Sequence, residues 1–191
     1  MKASASTEVD HLIVAARTVE EGAAWVEAQL GVAPVPGGKH ALMSTHNRLL
    51  ALDGGRYLEV MAIDPAAPAP RRPRWFGLDS PAMRARLARG PALIHWVMRT
   101  ADIGAALRDY PEPVEVLDFE RGDYRWRMGV PRDGRLPCGG ECPTLIQWDS
   151  TVHPAQRLPA SGCALADLGR PLAARFLTPV GERAMPWAKG E

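Results

Sequence analysis

Cysteine is the first scarcity. The chain has 3 cysteines in 191 residues, Cys138, Cys142 and Cys163, an odd number that argues against a disulfide framework, and a domain of this length can bury enough apolar surface to fold without staples. Free loop thiols are the simplest reading. The CGGEC spacing leaves one alternative, a zinc site completed by Cys163 and His153, but four neighbouring ligands are not evident. Long apolar runs are also missing. No stretch approaches the roughly 20 residues that span a bilayer, and MKASASTEVD lacks the apolar core of a secretion signal, so the expected setting is cytoplasmic, without membrane contact.

An excess of one charge is absent too. With 23 basic and 22 acidic residues the formal net charge is +1, so no global field gathers nucleic acid, and no stripe of aromatic and basic residues recurs. Several motifs are lacking: GxGxxG, GxSxG, HExxH and a Gly-rich loop ending in Lys and Ser or Thr, since Lys39 is followed by His40. Phosphate cradles and serine-hydrolase elbows are thereby set aside. Nucleic acid is therefore not an expected partner.

Turn formers are plentiful, with 18 Gly and 18 Pro, which predicts many short elements. Val9 to Ala15 reads as a strand, with Asp10, Leu12 and Val14 on one face and His11, Ile13 and Ala15 on the other. A helix follows: Thr18 and Glu21 make a capping box, Val19, Ala23, Val26 and Leu30 recur at helical spacing, and Gly31 ends it. APVPGGKH reads as a turn, and HALMSTHNRLLALDGG as one or two strands leading into YLEVMAI, the clearest strand of the chain. Residues 1–64 thus form a first module of strand, helix and three strands.

Residues 65–90 are a proline-rich linker with a short helix capped by Ser80 and Pro81. Arg71, Arg72 and Arg74 there are read as a solvated connector rather than a phosphate patch. The first pattern returns over residues 91–153: PALIHWVMRT is a strand, TADIGAALRDY a helix, and PVEVLDF, YRWRMGV and TLIQWDS are strands. The separation from His11 to Glu59 nearly matches that from His95 to Gln147, which supports a repeat. Residues 154–191 form a C-terminal extension, with a short helix over Leu172 to Phe176 and a loose end in RAMPWAKGE. The fold class is α+β, two βαβββ modules side by side with a curled mixed sheet around a cleft.

Four apolar strand segments each carry one polar residue: His11 in VDHLIVA, Glu59 in YLEVMAI, His95 in ALIHWVM and Gln147 in TLIQWDS. Each alone has an ordinary structural explanation. Imidazole nitrogen with carboxylate and amide oxygen is nevertheless a workable donor set for zinc, nickel, manganese, cobalt or ferrous iron, and the matched placement points to a shared divalent metal. Trp96 and Trp148 each follow a proposed ligand, so the alternation sends them to the opposite face, with Trp126 and Met128 also read as core.

DHLIVA, GGKHALMSTHNRLLAL running into YLEVMAIDP, and the second pass from HWVMRTADI to LIQWDS resemble the glyoxalase-like branch of the vicinal oxygen chelate superfamily over about residues 8 to 152. The resemblance implies paired modules around a metal cleft, with ligands at His11, Glu59, His95 and Gln147. It also implies Glu59 and His40 as catalytic groups and Thr45 and Asn47 against the substrate. The implied activity is that of a metal-dependent isomerase or lyase of the glyoxalase I type, acting on a small oxygenated molecule through a metal-stabilised enediolate, and the implied assembly is a homodimer. Gln147 departs from the glutamate common at that position, which leaves Glu59 as the available base. Two other readings stay open: an extradiol-type dioxygenase using His11, His95 and Glu59 on iron, and a drug-binding protein without catalysis.

Overall fold

The computed structural model describes residues 6–188. The first βαβββ run comprises β1 (Thr7–Ala15), α1 (Val19–Leu30), β2 (Val35–His40), β3 (Thr45–Leu52) and β4 (Arg56–Ile63). After α2 (Pro81–Leu87), the second run comprises β5 (Ala92–Thr100), α3 (Ile103–Ala106), β6 (Glu115–Arg121), β7 (Tyr124–Val130) and β8 (Thr144–Trp148). The eight strands make one sheet in the order β2-β3-β4-β1-β5-β8-β7-β6. The two runs are therefore joined edge to edge by the antiparallel β1–β5 pair, with β1–β4 and β5–β8 parallel on either side. The sheet curls, and its end strands approach each other where Arg121 of β6 lies across Gly38 of β2.

Strand alternation divides the core. Leu12, Val14, Leu58 and Val60 face the convex side with Val26 and Leu30 of α1, while Ile13, Met61, Ile146 and Trp126 face the concave side. The helix α1 has the ends its sequence promised. Thr18 Oγ1 accepts the Glu21 backbone N–H at 3.1 Å, and Gly31, at φ 78°, donates to Glu27 O at 2.7 Å, a left-handed stop that suits glycine.

Four expectations are corrected. GGKH is not a turn but the end of β2, which pairs with β3. Leu172 to Phe176 is not helical: β10 (Ala173–Thr178) buries Ala174 and Phe176 alternately, a two-residue period. With β9 (Ala164–Asp167) and β11 (Gly181–Pro186) it forms a separate three-stranded sheet, packing Phe176, Met185 and Trp187 into the convex core. The segment through Trp187 is therefore anchored rather than loose, and residues 189–191 lie outside the described residues. Finally, Cys138 and Cys142 are joined in a disulfide, while Cys163 is a buried thiol. A Cα–Cα separation of 5.4 Å suits a local bridge. The linker arginines are engaged structurally, Arg72 with Glu115 at 3.1 Å and Arg74 with Asp79 at 2.7 Å.

Candidate functional site

Glu59 sits on the concave face of β4, 4 % exposed. Its cross-strand neighbours decide its surroundings. Asn47 of β3 donates through Nδ2 to Glu59 Oε1 at 2.5 Å, and His11 of β1 places Nε2 at 3.4 Å from Oε2. Asn47 is fixed in turn, because its Oδ1 accepts the Gly38 N–H at 2.7 Å. Gly37 makes room for this: a Cβ there would come within 2.0 Å of Asn47 Oδ1.

His11 is held from behind by its sequence neighbour. The register between β1 and β5 passes from Val9–Met98 to His11–Val97, leaving Asp10 as the extra residue of a β-bulge, and a bulge re-aims its side chain. Asp10 Oδ1 then lies 2.6 Å from His11 Nδ1, while Oδ2 receives Trp148 Nε1–H and faces His153 Nε2, each at 3.0 Å. Burial alone would raise the Asp10 carboxyl, but the bonds from His11 and His153 outweigh it and hold it well below the usual carboxylate range.

His40 lies beside this group. Thr45 Oγ1 is 3.1 Å from its Nδ1, and Asn47 Nδ2 and Arg121 Nη1 are each 3.4 Å from its Nε2. Both latter groups carry hydrogens, so Nε2 is assigned as the acceptor and Nδ1–H as the donor to Thr45. Burial pushes the His40 imidazole down to about 4, and it is neutral at pH 7. The cleft is bounded by these polar groups on one side and by Trp75, Trp126, Trp148 and Met128 on the other. Trp148 therefore faces the cleft, contrary to its expected place on the opposite face, and Trp126 and Met128 are both core and wall.

Of the four expected metal ligands, the structure brings His11 and Glu59 together. Gln147 is on the outer face: its Oε1 accepts Ile103 N–H at 2.9 Å and its Nε2 donates to Asp149 at 3.1 Å. His95 is on the concave side but is no part of the cleft lining; its ring packs against Phe76, and its Nε2 accepts the Thr144 N–H at 3.1 Å. The register of the repeat explains Gln147, which lies three residues beyond the position equivalent to Glu59. Ile13 pairs with Glu59, and Val97 pairs with Thr144. Matching His11 to His95 matches Ile13 to Val97, and hence Glu59 to Thr144, whose Oγ1 lies 3.0 Å from His95 Nε2. The second module's equivalent of the carboxylate is thus a hydroxyl. As placed, these four residues do not fit a shared metal, and among the described residues no group of three or more His, Cys, Asp or Glu side chains is arranged to hold one.

Sequence reasoning missed Asp10, Arg121 and Trp75, and named His153 only as a possible zinc ligand rather than as the partner of Asp10. Only Asp10 carried a signal, an acid set inside an apolar strand beside a candidate ligand.

The fold is that of a known family. The chain matches the family described as Glyoxalase-like domain over residues 9–170 and belongs to it, within the vicinal oxygen chelate superfamily. Among solved structures, a hypothetical protein from Staphylococcus aureus is similar at 18 % identity and TM-score 0.52, over 75 % of this chain and 59 % of that one, so the chain spans under two thirds of its length. Methylmalonyl-CoA epimerase from Mycobacterium tuberculosis is similar at 19 % identity and TM-score 0.47, over 78 % of this chain and 90 % of that one. A methylmalonyl-CoA epimerase in complex with methylmalonyl-CoA and NH4+ is similar at 19 % identity and TM-score 0.48, over 78 % and 99 %. No curated protein matches in sequence. Among the described residues no helix is long and apolar enough to cross a membrane.

Proposed function

We propose that the chain is an isomerase or lyase that moves a proton on the carbon next to a carbonyl group in a small oxygenated molecule, with Glu59 as the base. The observation that carries this reading is the Glu59 carboxylate, buried on a cleft wall and met there by an amide and two imidazoles, with no Lys or Arg partner within ion-pair distance among the described residues. A buried carboxylate so placed is set for proton transfer more readily than for structure.

The C–H bond breaks, its proton passes to Glu59 Oε2, and the electron pair moves onto the carbonyl oxygen as an enolate. Returning the proton to the other face or to the neighbouring carbon completes an isomerisation; loss of a group from the next carbon completes an elimination. Asn47 fixes the carboxylate, and His11, oriented by Asp10, shares the proton on it. Arg121, facing the same cleft, supplies positive charge where oxygen becomes negative. His40, an acceptor at Nε2 toward Arg121, positions that guanidinium rather than donating to substrate. A divalent metal, expected from sequence, enters no step of this scheme.

The test is deuterium exchange. Small ketones, hydroxyketones and 2-oxo acids are incubated in D2O with the protein, and loss of the α-proton signal is followed by NMR. The expected result is exchange above buffer for at least one compound, reduced on the order of 100-fold or more in Glu59→Gln. Exchange equal in that variant, or none with any compound, would remove the proposal.

A further inference from the structure

Arg121 is the one guanidinium in the cleft lining, and among the described residues it forms no ion pair with a carboxylate. Its polar contacts come from Nη1 alone, at 3.4 Å to His40 Nε2 and 3.4 Å to Asn47 Oδ1. Both partners are uncharged, and both distances are long for N–H donors. A guanidinium has five N–H groups in a planar fork, so most of this donor capacity is unused by the protein. The side chain is nonetheless well located: it runs across Gly38, where a Cβ would come within 2.5 Å of its Cδ, and its charged end lies 5.5 Å from the centre of the Tyr124 ring.

A second donor belongs to the opposite wall. Trp75 is 2 % exposed and lines the cleft, and its Nε1–H has no acceptor among the described residues. Leaving a buried N–H unpaired is unfavourable, and an anion's oxygen would satisfy it.

We infer that the ligand of this cleft is a small 2-oxo acid, held through its carboxylate and the adjacent carbonyl oxygen by the Arg121 fork. Two vicinal oxygens match the two parallel N–H bonds that a guanidinium offers. Glu59 lies on the same side of the cleft as Arg121, one side chain away across Asn47, and would take its proton from the carbon beyond the carbonyl. This inference names the substrate class of the site proposed above and rests on that reading for its chemistry, but the binding it describes can be measured by itself.

Trp126 and Trp148 line the cleft, so intrinsic fluorescence reports its occupation without turnover. Pyruvate and hydroxyacetone share three carbons and a ketone and differ in charge. Titrated into the wild-type protein, pyruvate should quench saturably at a concentration at least about tenfold below hydroxyacetone, as expected for a charge-assisted pair. Arg121→Met should abolish that preference, and Arg121→Lys should keep part of it, with unchanged near-UV circular dichroism showing that both variants are folded. Equal binding of the two ketones by the wild-type protein, a preference that survives in Arg121→Met, or no saturable quench by either compound would overturn the inference. Preferential pyruvate binding without deuterium exchange would instead uphold the ligand class and remove the proposed reaction.

Discussion

Asp10 and His11 are consecutive in β1, yet their side chains meet, Oδ1 to Nδ1 at 2.6 Å. A regular strand would send them to opposite faces, and the bulge at Asp10 is what allows the contact. The carboxylate thereby sets which His11 nitrogen faces Glu59. Asp10→Asn should lower α-proton exchange on the order of 100-fold, the scale of a misplaced reacting group, while changing pyruvate quenching little. The split between the two readouts checks it; equal loss in both would indicate general disruption of the cleft.

His95 and Gln147 should behave as structural residues. His95→Ala leaves the Thr144 N–H unpaired and opens a void, costing about 2–4 kcal/mol in urea unfolding. Gln147→Ala removes the acceptor at the start of α3 and should cost about 1 kcal/mol. Neither should change the zinc or nickel content of the purified protein, measured by elemental analysis. A fall in metal content in both variants would restore the four-ligand site.

Stability should fall on mild acidification. Burial pushes His40 down to about 4 and His95 down to about 3, whereas both titrate near 6.5 in an unfolded chain. Below pH 6.5 the unfolded chain therefore binds protons that the native protein refuses, and stability is lost progressively until the native values are reached. For His40 alone the loss is about 3 kcal/mol by pH 4. Asp10 adds to the loss below about pH 4, where the unfolded carboxyl takes up its proton first. Urea midpoints that stay level from about pH 7 to pH 4 would contradict this account.

The C-terminal sheet should be integral to stability. Phe176 is fully buried on the convex side with Met185 and Trp187, so Phe176→Ala should cost about 3–5 kcal/mol. Thermal unfolding reads the effect, and a change within error would show that the small sheet is dispensable.

The strands that alternate cleanly were legible. Glu59 and His11 were placed on the correct faces because YLEVMAI and DHLIVA carry an unbroken two-residue period from those residues onward. Gln147 was misplaced because it is the polar residue of TLIQWDS, whereas the hydroxyl at Thr144, three residues earlier, occupies the equivalent place, and a shift by an odd number of residues reverses the face. Asp10 escaped for a related reason: a bulge is a property of two paired strands, and the sequence of one does not announce it. Arg121 could not be singled out because its importance lies in the absence of an acidic neighbour, which only the fold reveals. β10 was mistaken for a helix because its buried positions are filled by Ala174 and Phe176, neither of which is β-branched.

The curled sheet has a mechanical consequence. Its halves share a continuous backbone joint only along β1 and β5, while across the open mouth Arg121 reaches His40 and Asn47 by side-chain contacts alone. The β1–β5 joint thus carries the backbone continuity of the sheet, and a single guanidinium spans the gap on the opposite side, so a molecule entering the cleft there borders a side chain rather than a strand.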